Sequence, residues 1–312
     1  MTHNNRPKVS IVLPTYNGER WLAEAIQSVI AQTLKSWELI IVNDCSTDKT
    51  KEIAESFAKQ DSRISVISNE QNKKLPASLN VGFTCARGDF LTWTSDDNLF
   101  KTTALEKMSS YLDEHPDTDM VSMNEDIIDE DGNVVKDFDK DFRFKRNAAY
   151  LIHGCNVGAA FMYRRTIADK AGIYDESMFC AEDYDYWCRI ALNGRIDYTN
   201  DNVYQYRDQA ASLSRTKRKV VKDRTNAIRR KYATSFFTKY SFTEFDQAKL
   251  WAHISIHECP KRLLLKCLLV KLHGLFVELL IAPLFWNKPL RRKVRKNLSI
   301  HEVYSFSERN VK

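Results

Sequence analysis

Acidic residues stand at three places along the chain where an apolar run ends or a helical pattern begins. Asp44 follows one apolar run, Asp96 and Asp97 follow another, and Glu182 and Asp183 open a helical pattern. Carboxylate oxygens are the ligands that Mg²⁺ and Mn²⁺ prefer, and a single carboxylate can act as a general base. A fold that gathered these residues in one cleft would hold a divalent cation beside a proton acceptor.

Each of these positions also has a simpler structural explanation. Paired aspartates at the end of a strand commonly form a solvated turn, and acidic residues at the start of a helix offset its dipole. Any one pair alone favours the structural explanation. The three sites together, in this order along the chain, favour a functional cluster.

The first hundred residues predict a fold that would bring the first two sites together, because short apolar runs alternate with helical patterns. This alternation indicates a parallel sheet with helices on both faces, in which ligands bind beyond the carboxyl ends of the strands. Asp44, Asp96 and Asp97 lie at those ends. The predicted strands are 9–13, 39–42, 64–67 and 90–93, and the predicted helices are 21–34, 50–59 and 77–86.

The alternation becomes less regular beyond a helix predicted at 105–115. From residue 217 onward the pattern is mostly helical. We therefore predict an α/β domain over residues 1–214 and a basic, mostly helical region over residues 215–312. Between these limits the sequence predicts strands at 120–124, 157–163 and 195–199, a turn at 131–133 and a helix at 183–192.

The composition is that of an ordinary globular protein, with 43% hydrophobic and 28% charged residues in a chain of 312. Its seven cysteines include no CxxC pair, which disfavours a zinc knuckle or a disulfide framework and suits the reducing cytoplasm. The polar segment 1–8 leads into an apolar run that Pro14 ends too early for a signal-peptide core. We therefore expect a cytoplasmic location.

The net charge of +6 is concentrated in the last third of the chain, in basic runs at 215–231 and 261–296. Residues 263–286 are rich in Leu, Val, Ile and Phe, with their polar residues on one side of a helical projection. This pattern predicts an amphipathic helix, lying on the anionic inner surface of the plasma membrane or packed on the α/β domain. Nucleic-acid binding is disfavoured, since no recognisable module or interleaved aromatic pattern accompanies the basic residues.

Four motifs resemble the inverting family 2 glycosyltransferases of the GT-A fold, in the order and spacing of that family. They are VSIVLPTYN from Val9, IIVNDCSTD from Ile40, TSDD from Thr94, and Glu182-Asp183. The resemblance covers residues 7–214. It implies a nucleotide-diphospho-sugar transferase-like α/β fold with a mixed, mainly parallel sheet flanked by helices, plus a helical C-terminal extension.

The same resemblance implies transfer of a hexosyl or N-acetylhexosaminyl group from a nucleoside diphosphate donor, commonly UDP, to a hydroxyl acceptor. The acceptor would be a lipid-linked or polysaccharide glycan, as in the assembly of bacterial surface polysaccharide. On the donor side, the turn formed by Pro14, Thr15 and Tyr16 would contact the nucleotide base, with Tyr16 stacked on it. Asp44 would accept a hydrogen bond from the base, and Lys74 falls where the family commonly places a basic residue near the donor.

The resemblance gives the remaining acidic residues separate roles. Asp97 would bind the divalent cation, Mn²⁺ or Mg²⁺, and Asp96 would contact the ribose or support the metal site. Asp183 would be the general base that deprotonates the acceptor hydroxyl, with Glu182 beside it. Because the acceptor attacks opposite the leaving group, no covalent glycosyl-enzyme and no nucleophilic residue are expected.

Three positions depart from the family pattern. Thr94 and Asn43 stand where the family often has aspartate, and Gln209 stands where it often has histidine; Asp208 or Arg207 could replace that histidine. These departures motivate an alternative, a sugar-nucleotide-binding subunit without activity. A nucleotidyltransferase is a further alternative, but the segment 14–18 lacks the Gly-rich basic loop expected of that class.

Overall fold

The computed structural model describes residues 6–136 and 147–254, together with Leu263, Lys266 and Leu268. The chain divides into two compact units, residues 1–236 and 237–312. The packing division thus falls after Phe236, later than residue 214, and the functional boundary at 214 stays a prediction. The packing reason is that Ile228, Tyr232 and Ala233 are buried within the first unit.

The first half of the sheet is parallel, and it confirms the alternation predicted from the sequence. The strands run in the order β3-β2-β1-β4, all parallel to one another. The elements are β1 (Val9–Thr15), α1 (Leu22–Ile30), β2 (Trp37–Asn43), α2 (Thr50–Gln60), β3 (Ile64–Ser68), α3 (Leu75–Cys85) and β4 (Phe90–Trp93).

The second half makes the sheet mixed. Its strands continue the order as β4-β8-β6-β9-β5, with β7 paired to β6, and only the β6–β9 ladder is parallel among these described pairs. The elements are β5 (Leu99–Phe100), α4 (Ala104–Glu114), β6 (Met120–Ile128), β7 (Val134–Lys136), β8 (Phe161–Arg164), α5 (Arg165–Ala171), α6 (Glu182–Asn193) and β9 (Ile196–Arg207).

Helices follow the sheet: α7 (Leu213–Thr216), α8 (Arg218–Lys239) and α9 (Glu244–Ile254). They agree with the helical pattern predicted from residue 217 onward. Apart from Leu263, Lys266 and Leu268, the amphipathic helix expected at 263–286 lies outside the described residues. Within the described part of the chain, no helix combines the length and the apolar character that a membrane crossing needs.

Strands β1 and β2 are buried along their whole length, which holds the carboxyl ends of both strands in fixed positions. The buried face of α1 explains why this segment is helical, since Leu22, Ala25, Ile26 and Val29 recur at helical spacing. Burying each large apolar side chain contributes about 1.5–3 kcal/mol. Pro14 lies in β1 beyond Val12, the last residue that pairs with β4, so its missing N–H removes no bond from that ladder.

Candidate active site

The loops after β1 and β2 are bonded to each other at the carboxyl edge of the sheet. Gly18 N donates to Thr50 Oγ1 at 2.8 Å, and Asn17 N donates to Ser46 Oγ at 3.0 Å. Asn17 has φ 55°, in the left-handed region that asparagine tolerates better than most residues. This turn leaves the ring of Tyr16 51% exposed, so a flat aromatic surface is available at the end of β1.

Asp44 is buried at the end of β2, where its carboxylate organises the loop that precedes α3. Oδ1 accepts hydrogen bonds from Asn69 Nδ2 and Lys73 N, both at 2.8 Å, and Oδ2 accepts one from Lys74 N at 2.9 Å. Lys74 itself has φ 73°, and its exposed side chain stands at the N-cap of α3. The positive end of that helix and the lysine together favour an anion beside Asp44.

Asp96 follows β4 and lies against the turn after β1. Thr15 Oγ1 donates to Asp96 Oδ2 at 2.5 Å. A Cβ atom at Gly18 would stand 2.1 Å from the same oxygen, so only glycine allows this approach. Desolvation of the carboxyl group raises the pKa of Asp96 to about 6, with a smaller contribution from the charge of Asp97.

Asp97 is held by residues at and just beyond the end of β9, more than a hundred positions further along the chain. Gln209 Nε2 donates to Asp97 Oδ2, and Arg207 Nε donates to the backbone oxygen of Asp97 at 2.9 Å. The short strand β5 explains this meeting, because its antiparallel pairing of Leu99 with Gln205 brings the residues before β5 beside those after β9. Desolvation raises the pKa of Asp97, and the hydrogen bond from Gln209 and the charge of Arg207 oppose that rise.

Arg207 is 1% exposed, and its guanidinium group supports the turn around the site without facing the cleft. Nη1 donates to the backbone oxygens of Asp129 at 3.1 Å and Glu130 at 2.9 Å, and Nη2 donates to Glu24 Oε2 at 2.9 Å. These contacts give Arg207 a structural role at this edge of the sheet.

Asp208 is also occupied, in an exposed ion pair with Arg215 Nη2 at 2.6 Å. Of the residues considered for the histidine's position, Gln209 is therefore the one that donates to the side-chain carboxylate of Asp97.

The other two departures from the family pattern are structural as well. Asn43 Oδ1 accepts from Ser46 N at 3.1 Å, which steadies the loop in which Cys45 has φ 64°. Thr94 is 1% exposed, and its Oγ1 lies 2.5 Å from the hydroxyl of Tyr204 inside the protein. A carboxylate at position 94 would therefore be buried beside that tyrosine.

Asp183 lies in the first turn of α6, where its Oδ1 accepts from Tyr184 N at 2.6 Å. Desolvation raises the pKa of Asp183. Glu182 is 4% exposed, and its Oε2 is buried without a hydrogen-bond partner among the described residues. Burial, followed by the charge of Asp183, raises the pKa of Glu182 to about 8, which favours the protonated form.

Glu125, in β6, is a buried carboxylate that the sequence patterns did not single out. Its Oε2 accepts from Ala159 N at 2.6 Å, and a Cβ atom at Gly158 would stand 2.8 Å from the same oxygen. Desolvation and then the charges of Asp97 and Glu125 raise the pKa of Tyr204. Glu125 therefore lies in the same part of the sheet as Asp97, and its place inside the strand 120–128, without a motif around it, explains why the sequence did not identify it.

Electrostatic contacts also link Asp183 to this part of the first unit. Desolvation and then the charges of Asp183 and Glu125 raise the pKa of the Cys155 thiol, so Glu125 lies within electrostatic range of the neighbours of both Asp97 and Asp183. The acidic residues singled out from the sequence thus belong to one region of the first unit.

The carboxylate of Asp97 is chemically suited to a divalent cation, provided that other ligands come from outside the described residues. No group of three His, Cys, Asp or Glu side chains arranged as a metal site occurs among residues 6–136 and 147–254. Mg²⁺ is commonly held by one or two carboxylates together with substrate phosphates. Asp97, supported by Gln209 and with Asp96 adjacent, supplies such a carboxylate.

Comparisons with known proteins agree with this architecture. The model of the family Glycosyl transferase family 2 matches residues 10–172. The uncharacterized glycosyltransferase MJ1057 of Methanocaldococcus jannaschii is 33% identical over 208 residues, which are 65% of this chain and 71% of that protein. Glycosyltransferase GlyG of Streptococcus pneumoniae is 29% identical over 221 residues, 67% of this chain and 73% of that protein.

Among solved structures, residues 1–349 of S. aureus TarS, crystallised in complex with UDP-GlcNAc, superpose with a TM-score of 0.58. The identity is 20%, and the match covers 82% of each chain. At that identity the likeness shows a shared fold. The GT-A architecture expected from the sequence motifs, a mixed α/β sheet flanked by helices, is confirmed.

Proposed function

Since this chain belongs to glycosyltransferase family 2, we propose that it is an inverting, metal-dependent enzyme that transfers a sugar from a UDP-linked donor to a hydroxyl group of a glycan. The sugar is of the hexosyl or N-acetylhexosaminyl type, and the acceptor is a lipid-linked or polysaccharide glycan. One observation carries the proposal: Asp44, Asp96 and Asp97 line the carboxyl edge of the sheet, and Asp183 opens α6 in the same unit.

The donor site of the proposal lies beyond β1, β2 and β4. The exposed ring of Tyr16 supports stacking on a flat nucleotide base, and Pro14 and Thr15 set the position of that ring. Asp44 Oδ2 accepts one bond within the described protein, which leaves capacity for a base N–H. Lys74, at the N-cap of α3, supports the neutralisation of an anionic donor.

Asp97 holds the divalent cation in this proposal, and Asp96 contacts the ribose or supports the metal site. When bound, Mn²⁺ or Mg²⁺ neutralises the charge that develops on the departing diphosphate. The remaining parts of the reaction fall to the residues of the chain. The hydrogen bond from Gln209 keeps Asp97 oriented and favours its charged form.

Asp183 acts as the general base. It takes the proton of the acceptor hydroxyl, whose oxygen forms a bond to the anomeric carbon on the face opposite the diphosphate. The bond between that carbon and the phosphate oxygen breaks, and UDP leaves with the electron pair. A raised pKa suits Asp183 to this task, because a base is most effective when its pKa lies near the working pH.

A donor screen tests the proposal. The purified chain is incubated with each common nucleotide sugar and Mn²⁺ or Mg²⁺, with and without chelator, and release of nucleoside diphosphate is measured. We expect metal-dependent UDP release from one donor. Asp183→Asn should abolish transfer and leave UDP affinity unchanged; if UDP affinity and transfer both persist, Asp183 is not the base. Pyrophosphate as the product would identify a nucleotidyltransferase instead.

A peripheral location on the cytoplasmic face of the membrane is part of the proposal, and it rests on the sequence of residues 263–286 and the basic residues around them. Sedimentation with vesicles of phosphatidylcholine containing 30% phosphatidylglycerol, chosen at roughly the anionic content of a bacterial membrane, tests it. Binding that is lost without the anionic lipid supports the membrane surface. Equal recovery in the supernatant with both vesicle types would favour the helix packing on the catalytic domain.

A further inference from the structure

The segment between Gln209 and Arg229 is attached to the candidate active site at both ends. Its first end is fixed where Gln209 contacts Asp97. Its second end is fixed where Arg229 donates to the backbone oxygen of His153 and where the hydroxyl of Tyr232 donates to Asp185 Oδ1 at 2.9 Å. Both ends of this segment are therefore fixed to the first unit.

One face of α8 is turned toward the protein body over its second half. Ile228 and Tyr232 are buried on this face. Continued toward the start of the helix at steps of three and four residues, the same face carries Arg224, Val221 and Lys217. The backbone bond from Val221 N to Lys217 O, at 3.0 Å, shows that Lys217 already belongs to the first turn.

The two basic residues of this face lie beside the start of α6. Desolvation and then the charge of Glu182 raise the pKa of the Cys180 thiol. The positive charges of Lys217 and Arg224 both act on the same thiol and oppose that rise. Cys180 precedes Glu182 by two residues and has φ 74°. Lys217 and Arg224 therefore lie within electrostatic range of the residues that lead into Asp183.

Within the described residues, the side chains of both cations lack a partner. Lys217 is exposed and Arg224 is half-buried, and neither side chain forms an ion pair or a hydrogen bond with another described residue. By contrast, Arg215 on the same segment is paired with Asp208. The two positions are about 10 Å apart along the helix axis, a distance that two long basic side chains can span to reach one anionic group.

We propose that Lys217 and Arg224 bind an anionic group, phosphate or carboxylate, on the acceptor next to the sugar that receives the new bond. The inference rests on the proposed function, because it assigns the acceptor side of the same cleft. The acceptor is then a charged glycan or a sugar carried on a diphosphate. Neutral glycans of the same sequence are poor substrates.

The test uses the full chain and the donor identified by the screen. Each of a panel of monosaccharides is offered as a phenoxyundecyl diphosphate ester and as the neutral phenoxyundecyl glycoside, and uronate-terminated disaccharides are offered beside their neutral counterparts. We expect a lower KM for one of the two charged forms. Which form it is distinguishes a diphosphate carrier from a carboxylate on the glycan.

Lys217→Gln and Arg224→Gln should each raise the KM for the charged acceptor about tenfold, the effect of losing one charge-assisted hydrogen bond. The KM for the neutral glycoside and the dissociation constant of UDP should not change. Lys219→Gln and Lys222→Gln are matched controls, since each lies two residues from one of the pair and so on the opposite side of the helix. The controls remove the same charge and should leave both KM values unchanged.

Several results would overturn the assignment. Equal KM values for charged and neutral acceptors would do so, as would equal effects of all four variants. A rise in the dissociation constant of UDP for Lys217→Gln and Arg224→Gln would assign these cations to the donor diphosphate. Absence of UDP release from every donor would instead contradict the proposed function, so the two failures are distinguishable.

Discussion

The side-chain amide of Gln209 donates a hydrogen bond to Oδ2 of Asp97, across 112 positions of the sequence. The amide is a donor at any pH, so it stabilises the carboxylate form of Asp97 without itself titrating. A neutral residue at this position therefore supports the aspartate proposed to hold the cation.

Replacing Gln209 by alanine should weaken the metal site. Asp97 would lose a hydrogen bond that orients its carboxylate. Its pKa would rise further, because the bond from Gln209 would no longer oppose the effect of desolvation. We expect the Mn²⁺ concentration for half-maximal UDP release to rise about tenfold, as is common when a residue that supports a metal ligand is removed. Gln209→His should retain most of the activity, since a ring N–H can donate the same bond. An unchanged Mn²⁺ requirement in Gln209→Ala would contradict the role of this contact.

Gly18→Ala should damage the donor site selectively. The added methyl group would stand 2.1 Å from Asp96 Oδ2 and 2.7 Å from Thr15 Oγ1, so both side chains must move. We expect UDP binding, measured by calorimetry, to weaken about tenfold, equivalent to about 1.4 kcal/mol.

Gly172→Ala is the control for a general loss of stability. Its φ of 80° makes alanine strained, but the nearest atom to the new methyl group is 3.9 Å away, on Arg189. It should lower the free energy of unfolding by about 1 kcal/mol and leave the UDP dissociation constant unchanged. Equal dissociation constants of UDP for Gly18→Ala and Gly172→Ala would show that the approach of Asp96 to Gly18 does not affect donor binding.

Glu182 should make the protein less stable as the pH rises. Burial raises the pKa of Glu182 from the value of 4.5 for a solvated glutamate to about 8 in the folded protein, so the folded state binds this proton more tightly than the unfolded state. The contribution to stability is fully present below pH 4.5 and is lost as the pH rises through about 8. Glu182→Gln keeps the neutral form at every pH. We therefore expect the Tm of Glu182→Gln minus that of the unchanged chain to increase between pH 5 and pH 9, and a constant difference would refute the burial of a titrating carboxyl group.

Arg207 should matter for stability more than its surface neighbours do. Arg207→Lys keeps a charge but cannot reach the backbone oxygens of Asp97, Asp129 and Glu130 together, so we expect a loss of about 3 kcal/mol in the free energy of unfolding. Arg215→Lys alters an exposed pair with Asp208 and should cost less than about 1 kcal/mol. Urea unfolding measures both values. Equal losses would contradict the structural role of the buried arginine.

The sequence predicted the parallel half of the sheet well because hydrophobic periodicity is a local signal. The segments 9–13, 39–42, 64–67 and 90–93 are strands in the structure, and each lies within the observed bounds. The strand predicted at 157–163 begins later, at Phe161, since residues 157–160 add no rung to the pairing with β6.

Contacts between distant residues could not be predicted in the same way. The meeting of Asp97 with Arg207 and Gln209 depends on β5, a strand of two residues that has no periodicity of its own. The same limit explains why β9 was expected to end at residue 199. The second half of β9 shows only a weak alternation of apolar and polar residues. It forms a strand because it pairs with β6 as far as Ile128.

The contact between Gly18 and Asp96 also constrains how the chain can vary among its relatives. A side chain at position 18 and the carboxylate at position 96 compete for the same space in this backbone, so one of them must move to accommodate the other. A lineage that lost the carboxylate could then accept a larger residue at position 18, and after that step restoring aspartate alone would no longer be tolerated. The two positions should therefore change together, and in a fixed order, which makes loss of this aspartate difficult to reverse.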